Sequence, residues 1–421
     1  MNEKLLQYLW NYKLFKNFNF VDVEGVPIEI LDFGIWNFNA GPDFSLAKIK
    51  IQNLMLVGNI ELHVKASDWN AHQHQSDRNF DNIILHVVYE NDEEIKMLKN
   101  NNIPTLELKN YIDPNIVSKY QQLFEVKKFI PCEDIFSKKN IPFYFEEENL
   151  LKKLNEKSIN IESSLSLYKN DFEAVLFHYL AYNFGLKINA EIFFELAQSL
   201  DFKIISKIRH KKTQLEALLF GICGWLENPA DETMKKWKIE YDFIQSKFNL
   251  RNLVFAPKFL RLRPQNFPTL RLSQLADLYH QHQNVFSKLI HSATLNGMYN
   301  ILENVQASEY WNSHYNFGAI STKIYVKKLS PDFIYSIIIN TVLPFKYYYH
   351  QYLKENINDE IIDMYQQIKS EKNTIISQWK NLGVPIRNSL QSQAFLYQYK
   401  HLCAQKKCLN CGIGLKILKN G

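Results

Sequence analysis

The sequence has few cysteines and no long apolar stretch. Five cysteines in 421 residues are too few for the disulfide framework that holds a small secreted scaffold together. The chain has no stretch of eighteen uninterrupted apolar residues, which excludes an ordinary membrane-spanning helix. The first eight residues also lack a basic segment followed by an apolar one, as a secretory signal would have. These absences predict a cytoplasmic protein with reduced thiols and no membrane partner.

A strong excess of charge of either sign is also missing. The chain carries 49 lysines and arginines against 44 acidic residues, a formal net charge of +5 at pH 7, and the two signs are interspersed. This balance permits contact with nucleic acid but does not require it. The chain is 46% hydrophobic and 14% aromatic, which is enough core material for two or three domains.

Hydrophobic periodicity divides the chain into two parts. Up to about residue 110, apolar and polar residues alternate in short runs over 26–33, 47–52, 55–65, 83–89 and 105–108, which predicts β-strands. From about residue 145 the spacing becomes helical, with long segments over 172–182, 190–200, 213–226 and 359–382. We therefore expect an α+β protein whose N-terminal mixed sheet with helices is followed by a mostly α-helical C-terminal region.

Proline-containing pairs indicate where the two parts meet. Asp113-Pro114, Ile130-Pro131 and Ile141-Pro142 disfavour continuous helix between residues 111 and 142. We accordingly predict an α/β domain over residues 1–130 and a helical domain over residues 131–421. An irregular segment at 256–268 suggests that the helical domain has two lobes. A cysteine-rich tail occupies residues 401–414.

A β-hairpin gathers candidate catalytic side chains. Asp43 precedes one predicted strand, a turn falls near Asn53, and the returning strand carries Glu61, His63 and Lys65 on one face. Reflecting positions about the turn places Asp43 opposite residues 61 to 63, so that these side chains could meet. The alternative is that this polar face is only the solvated side of a sheet.

Histidines are concentrated just after this hairpin. Four of the twelve histidines, His63, His72, His74 and His86, fall between residues 63 and 86, where an even distribution would place fewer than one. Carboxylate oxygens such as those of Asp43 and Glu61 suit Mg²⁺ or Mn²⁺, and the added imidazoles of His72 and His74 shift the preference toward Mn²⁺ or Zn²⁺.

Two residues near these histidines have other predicted roles. Trp69 opens a short helix after Ser67-Asp68 and is a candidate for contact with substrate. His86 lies between Leu85 and Val87 in an apolar strand, which is more typical of a hydrogen-bonded core histidine than of a ligand.

Five motifs of the chain resemble those of the family called domain of unknown function 2851. They are Gly-Pro-Asp-Phe, Gly-Asn-Ile-Glu-Leu-His, Ser-Asp-Trp-x-x-His-x-His, Ile-Leu-His-Val-Val and Arg-Leu-Arg-Pro-x-Asn-Phe-Pro. The likeness covers almost the whole chain. It implies a shared fold and brings no activity with it.

A more distant likeness is to the PD-(D/E)xK nuclease superfamily. Its core is a helix, a three-stranded meander, a crossover helix and a further strand, and its motif residues correspond here to Asp43 and to Glu61-Leu62-His63. The resemblance implies that Asp43 and Glu61 hold a divalent ion that activates water against a phosphodiester. His63 stands where the superfamily carries lysine, and either His63 or Lys65 would orient the water. Glu29, on the preceding strand, is the candidate outer carboxylate.

A basic loop in the helical part is a candidate nucleic-acid contact. Arg261, Arg263, Asn266 and Arg271 surround Phe267 in a segment that two prolines keep from being regular helix. Such a loop can bind phosphates through its guanidinium groups and stack a base on the aromatic ring. The alternative is a loop whose arginines pair with carboxylates and bridge two lobes.

The C-terminal cysteines form a second candidate metal site. Cys403, Cys408 and Cys411 have a spacing that suits Zn²⁺ or an iron–sulfur cluster. Cys132 is the best candidate for a fourth ligand and His401 the second. The alternative is that these are reduced structural thiols.

Together these patterns predict a nuclease-like, metal-dependent enzyme that acts on phosphodiesters, with DNA or RNA as its partner. One alternative is a non-catalytic nucleic-acid-binding or scaffold protein that kept the fold and lost the reaction. Another is a metal-dependent hydrolase of a different substrate, because histidine-rich sites suit Zn²⁺.

Overall fold

The computed structural model describes residues 1, 3–37, 41–72, 74, 78–113, 128–407 and 410–420. The chain divides into two compact units, Met1–Lys127 and Lys128–Gly421. The first is built on a sheet and the second on helices, so the expected α+β class is confirmed. The further division of the helical part into two lobes stays a prediction.

The N-terminal unit contains a seven-stranded sheet. Its strands are β1 (Phe20–Val21), β2 (Pro27–Asp32), β3 (Ile35–Trp36), β4 (Phe44–Ile51), β5 (Leu54–Lys65), β6 (Ile83–Glu90) and β7 (Thr105–Glu107). Its described helices are α1 (Glu3–Asn11), α2 (Asp68–Ala71) and α3 (Lys96–Asn100), with a 3₁₀ turn at Arg78–Phe80. Each of the five predicted strands is present.

The sheet is mixed, with the order β1-β2-β4-β5-β6-β7, and β3 pairs with β4. The strands β2, β4 and β5 are antiparallel, whereas β6 pairs with β5 in parallel and β7 pairs with β6 in parallel. A two-residue turn joins β4 to β5, and Gln52 in it adopts a left-handed conformation with φ of 53°. Phe44 lies opposite Ile60, which sets Asp43 beside Glu61 as the hairpin register predicts.

Strand β5 is buried on both faces along its central part. Ile60 and Leu62 pack on one face in a core that includes Leu6 and Trp10 of α1. On the other face Asn59, Glu61 and His63 are buried as well. The polar face is therefore not the solvated side of a sheet, because a second apolar layer around Trp69 and Phe80 covers this region.

The second unit is mostly helical and has two apolar cores. Its described helices are α4 (Phe145–Leu167), α5 (Phe172–Phe184), α6 (Leu186–Gln198), α7 (Phe202–Ile208), α8 (Lys212–Ile222), α9 (Glu232–Phe248), α10 (Pro268–Gln281), α11 (Val285–Ile290), α12 (Leu295–Leu302), α13 (Pro331–Ile337), α14 (Leu343–Tyr352), α15 (Asn358–Gln367), α16 (Thr374–Asn381), α17 (Ser389–Gln398) and α18 (Gly412–Asn420). A small ribbon pairs β8 (His314–Asn316) with β9 (Ala319–Ile320). Within the described part of the chain, no helix combines the length and apolar character needed to cross a membrane.

Two turns of this unit are π-helical, at Ile338–Val342 and at Tyr399–Cys403. Each continues an α-helix with a wider turn, in which a carbonyl accepts from the residue five positions ahead. Such turns are rare and are frequently found at functional sites.

The predicted helical segment 359–382 is two helices, α15 and α16, and not one. Ile368 is extended after α15, and Lys369 next to it forms a bridge with Asn388. The Asn373 side chain then accepts a hydrogen bond from Ile376 N at 2.9 Å and caps the start of α16. The apolar spacing does not reveal that the helix ends after Gln367, because it continues across the break. The local signal for a new helix is Asn373, a residue type favoured at helix N-caps.

Leu62→Ala should lower the free energy of unfolding of the N-terminal unit by about 2–5 kcal/mol, because it leaves a cavity under β5. Leu54→Ala on the same strand is the matched control. Leu54 is 66% exposed whereas Leu62 is fully buried, so the control should cost less than about 0.5 kcal/mol. Urea unfolding followed by circular dichroism measures both. Equal losses in the two variants would contradict the burial of this face.

Candidate metal centre

The segment that follows β5 folds back over the sheet face that carries Glu61 and His63. The Asp68 carboxylate accepts from Lys65 N at 3.0 Å and stabilises the turn at the end of the strand. Helix α2 follows, and His72 N donates to Asp68 O at 2.9 Å at its end. This short helix brings His72 and His74 into contact with His63, about ten residues earlier in the chain.

Four side chains converge on this face, and we call Glu61, His63, His72 and His74 the candidate metal centre. His63 Nε2 lies 3.3 Å from His72 Nδ1 and 3.3 Å from His74 Nε2. One nitrogen from each of these three histidines can be chosen so that all lie within 4.8 Å of one another. Glu61 Oε1 lies 3.3 Å from His74 Nε2 and 3.7 Å from His63 Nε2.

These spacings fit a single metal ion better than a hydrogen-bond network. Two nitrogens bound to one tetrahedral Zn²⁺ at about 2.0–2.1 Å lie about 3.3 Å apart. A neutral ring nitrogen carries either one proton or one lone pair. His63 Nε2 therefore cannot form good hydrogen bonds with His72 Nδ1, His74 Nε2 and Glu61 Oε1 at the same time. A cation can accept a lone pair from every member of the centre. Three imidazoles and a carboxylate are the donor set of a Zn²⁺ or Mn²⁺ site.

The centre is built from groups whose charged forms are disfavoured by burial. Burial, and then the neighbouring His86, His74 and His72, lowers the pKa of His63 to about 2. Burial raises the pKa of Glu61 to about 8. His63 is therefore neutral at pH 7, as a metal ligand must be. A divalent cation would restore the carboxylate form of Glu61 because the ion becomes the largest local charge.

A second layer of residues orients His63. His63 Nδ1 lies 2.9 Å from Nε2 of the fully buried His86. Burial, and then His74, lowers the pKa of His86 to about 3. When His63 Nε2 offers its lone pair, Nδ1 carries the proton and donates it to His86, which fixes the tautomer and the ring plane. His86 is thus the hydrogen-bonded buried histidine that its apolar strand predicts.

Aromatic rings hold the remaining histidines in place. The Phe80 ring stacks on His74 at a centroid distance of 3.9 Å. Trp69 packs edge-on against His63, His74 and His86, with centroid distances of 5.2 to 6.2 Å. Trp69 is fully buried, so it supports the centre from within and does not present a surface to substrate.

Asp43 holds Glu61 in place. Its backbone N–H donates to Glu61 Oε2 at 3.0 Å, which leaves Glu61 Oε1 turned toward the histidines. Its own carboxylate accepts from Gln7 Nε2 at 2.7 Å and from Leu62 N at 3.0 Å. Burial, and then Glu61, raises the pKa of Asp43 to about 8. The predicted pair therefore meets, with Asp43 positioning the carboxylate that faces the centre.

Gln7 contacts the candidate site, and sequence reasoning missed it. It lies on α1, 36 positions before Asp43, and reaches its carboxylate only because α1 packs on the sheet. An uncharged glutamine on an amphipathic helix carries no local signal for this contact.

Two other predicted residues, Lys65 of the hairpin and Glu29 of the preceding strand, lie elsewhere on the sheet. The Lys65 side chain is 56% exposed, and its Nζ lies 3.9 Å from Asp92 Oδ2. Glu29 is exposed on β2, opposite Lys50. The structure therefore does not bring Lys65 to the histidines, because β5 emerges from under the apolar layer before it reaches residue 65.

The basic loop lies in the helical unit, and part of it serves the fold. Arg271 is buried, its guanidinium lies 3.7 Å from the centroid of the Phe333 ring, and it donates to Asn266 and Gln274. Burial lowers its pKa to about 10. The prediction that this whole segment is irregular is wrong, because Pro268 occupies the first turn of α10 and Arg271 lies in that helix. Asn266 accepts a hydrogen bond from Arg271, whereas Arg261 and Arg263 are exposed.

The described C-terminal cysteines meet Cys132 around a small cavity. Cys132, Cys403 and Cys411 line a space of about 20 Å³, slightly more than the roughly 10–15 Å³ that one water requires. Gln398 Nε2 donates to Cys411 Sγ at 2.9 Å. His401 is engaged with Glu156 at 3.5 Å, and Cys408 lies outside the described residues. Metal binding by this cluster stays a prediction.

Comparison with known proteins gives one match. A family model described as a protein of unknown function (DUF2851) matches residues 3–374. No curated protein and no solved structure matches the chain. The match includes the whole candidate metal centre and ends before Cys403.

Purified protein should bind one Zn²⁺ or Mn²⁺ at the candidate metal centre. His72→Ala should remove that ion, because it deletes a ligand, and His72 is exposed so its loss should leave the fold intact. Metal analysis by mass spectrometry after dialysis measures the stoichiometry, with His210→Ala, an exposed histidine of the helical unit, as the control. An unchanged metal content in His72→Ala would count against the site.

His86→Gln should weaken metal binding by about 10–100-fold without abolishing it, because His86 orients a ligand and does not bind the ion itself. Competition titration with a chromophoric chelator measures the dissociation constant. An affinity equal to that of the wild type would show that the His63–His86 contact does not support the centre.

Cys403→Ser combined with Cys411→Ser tests the cysteine cluster separately. If these thiolates hold Zn²⁺ or an iron–sulfur cluster, the double variant should lose that metal while His72→Ala keeps it. Metal analysis and visible absorbance of anaerobically prepared protein provide the measurement. Wild-type protein with neither a thiolate-bound metal nor visible absorbance would leave these residues as structural thiols.

Proposed function

The chain belongs to the DUF2851 family, whose function is unknown, and we propose that it is a metal-dependent hydrolase of phosphodiesters that acts on nucleic acid. The observation that carries the proposal is the convergence of Glu61, His63, His72 and His74 at ligand spacing. A divalent ion bound by these residues would supply Lewis acidity, which polarises a phosphodiester and lowers the pKa of water. The proposal assumes the cytoplasmic location that the sequence predicts.

Neighbouring residues hold the proposed metal ligands in position. Asp43 fixes Glu61 through its backbone N–H, and His86 fixes the tautomer of His63. The three histidines differ in solvent exposure: His63 is buried, His74 is partly buried and His72 is exposed. Substrate would therefore approach from the side of His72, while the buried side excludes water and strengthens the electrostatic interactions.

The order of elements supports a phosphodiester as the substrate. Helix α1, the antiparallel strands β2, β4 and β5, helix α2 and the parallel strand β6 occur in this order along the chain, with the two-residue strands β1 and β3 between them. This is the order that the resemblance to the PD-(D/E)xK nucleases implies. Asp43 at the start of β4 and Glu61 on β5 stand at the two motif positions. The proposal therefore has two separate supports, the donor set and the element order.

A second candidate function is hydrolysis of a different substrate by the same centre. The observation that favours it is the position of Lys65, which is exposed and lies beside Asp92, while a buried histidine occupies the position of the nuclease lysine. Catalytic zinc sites use three protein ligands, such as three histidines or two histidines and a glutamate, and keep the fourth position for water. The grouping of His63, His72 and His74 resembles these sets more than the oxygen ligands of Mg²⁺ nucleases. Small phosphodiesters and esters are the substrates that would separate this candidate from a nuclease.

Glu61→Gln should reduce cleavage of single- or double-stranded DNA or RNA by about 100-fold or more with Mn²⁺, because it removes charge from the ion's ligands. Binding at low salt should persist, since the phosphates contact other residues. The matched control is Glu94→Gln, a carboxylate that is 65% exposed on the same unit and should leave cleavage unchanged.

The outcomes separate the three classes of protein. Wild-type protein that retains nucleic acid and never cleaves it would support a binding module and contradict the enzyme. Cleavage of small phosphodiesters or esters without cleavage of nucleic acid would favour the second candidate. Equal cleavage by wild type and Glu61→Gln would place the activity outside this centre.

A further inference from the structure

The helical unit contains a large cavity that is separate from the metal centre. It has a volume of about 880 Å³ and lies among α4, α5, α6 and the π-helical turn Ile338–Val342. This volume falls in the range of pockets that hold small molecules, about 300–1,000 Å³. We call it the lysine cavity, after Lys153, Lys157 and Lys400 in its lining, which also includes Lys187 and the carboxylate of Glu191.

The three lysines place an unusual concentration of positive charge in one space. Lys153 and Lys157 are one turn apart on α4, where like charges repel. Burial lowers the pKa of Lys153 to about 8, and burial followed by Lys153 lowers the pKa of Lys157 well below its usual value. Lys400 lowers both pKa values further, whereas Glu371 raises both. An anion bound among these lysines would offset their mutual repulsion.

Each of the two lysines on α4 is held in place by a protein acceptor. Lys157 Nζ donates to Asn340 O at 2.6 Å. Lys153 Nζ donates to the Gln393 amide oxygen, and the Gln393 amide group donates in turn to Glu371. An ammonium group has three N–H donors, so one such hydrogen bond orients each lysine and leaves capacity for a ligand.

Both π-helical turns of the described chain border this cavity. Asn340 and Thr341 belong to the first turn, and Lys400 belongs to the second, Tyr399–Cys403. A π-helical turn shifts the hydrogen-bonding pattern by one residue, and the Asn340 carbonyl is bound by a lysine here. Because such turns are frequent at functional sites, their meeting at one cavity is a second, independent indication of a ligand.

Aromatic side chains supply another part of the wall. Tyr179 packs edge-on against Phe194 and Phe345, with centroid distances of 5.5 and 5.2 Å. Tyr182 also packs against Phe194 and is 41% exposed at the cavity. Such a wall offers flat apolar surface to a ring, while Asn183 and Thr341 add polar groups.

We propose that the lysine cavity binds a small anion that combines a phosphate group with a flat ring, of the mononucleotide class. The lysines would contact the phosphate as point charges, and the aromatic wall would contact the base. A free phosphate satisfies only the basic part of the cavity and leaves most of its volume unused. The proposal does not depend on the metal centre.

The test is isothermal titration of the full-length protein with AMP, inorganic phosphate and adenosine in buffer that contains EDTA. AMP should bind saturably, and adenosine and phosphate should each bind at least about 10-fold more weakly, because each contacts only one part of the cavity. Raising the salt concentration should weaken AMP binding through charge screening.

Lys157→Met and Lys153→Met should each weaken AMP binding by about 10-fold or more. The matched control is Lys152→Met, because Lys152 is exposed on the same helix and pairs with Glu148; it should bind AMP as the wild type does. Lys157→Met also removes the hydrogen bond to Asn340 O, so thermal unfolding without ligand is measured in parallel. A variant that unfolds cooperatively above the titration temperature is folded during the binding measurement, and its loss of binding is then assigned to the lysine.

Absence of saturable AMP binding by wild type at millimolar concentration would overturn the proposal, as would equal binding by wild type and Lys157→Met. Phosphate binding as tight as AMP binding would overturn the assignment of the aromatic wall to a base.

Discussion

Strand β5 is buried on both faces and still carries Asn59, Glu61 and His63, and the rest of the N-terminal unit is arranged around this constraint. A buried polar group without a partner costs about 1–3 kcal/mol, so Glu61 and His63 depend on partners inside the protein. The Asp43 backbone serves Glu61, His86 serves His63, and α2 returns two more histidines to the same face. A metal ion is the one partner that would satisfy all of the converging lone pairs together.

The two units share a physical feature, since each brings like-charged or like-titrating side chains together, fully buried around Glu61 and half-buried at Lys153 and Lys157. In the N-terminal unit burial raises the pKa of Asp43 and Glu61 to about 8. In the helical unit burial lowers the pKa of Lys153 and Lys157. Clusters of this kind reduce the stability of an isolated fold, and perturbed pKa values concentrate at functional sites. A cation bound in the first unit would stabilise the charged form of the carboxyl groups. An anion bound in the second would stabilise the charged form of the lysines.

Several residues show which features of the site can be predicted from local sequence pattern and which cannot. The alternation of β5 and the position of the turn near Asn53 predict the hairpin and the meeting of Asp43 with Glu61, because strand pairing across a two-residue turn is a local property. The concentration of histidines between residues 63 and 86 likewise points to one site. In contrast, Lys65 belongs to the same strand face as His63, and alternation alone cannot tell that one is exposed and the other buried.

Sequence by itself determined the α+β class, the strand and helix regions and the residue types of the candidate metal centre, because hydrophobic period and turn residues act over a few positions. Only the tertiary structure decided which of those residues meet. It joined Gln7 to Asp43 across 36 positions, turned Arg271 into the core beside Phe333, and placed Lys157 against the carbonyl of Asn340 across 183 positions. These contacts depend on how helices and sheet pack in three dimensions, and no periodicity within a single element encodes them.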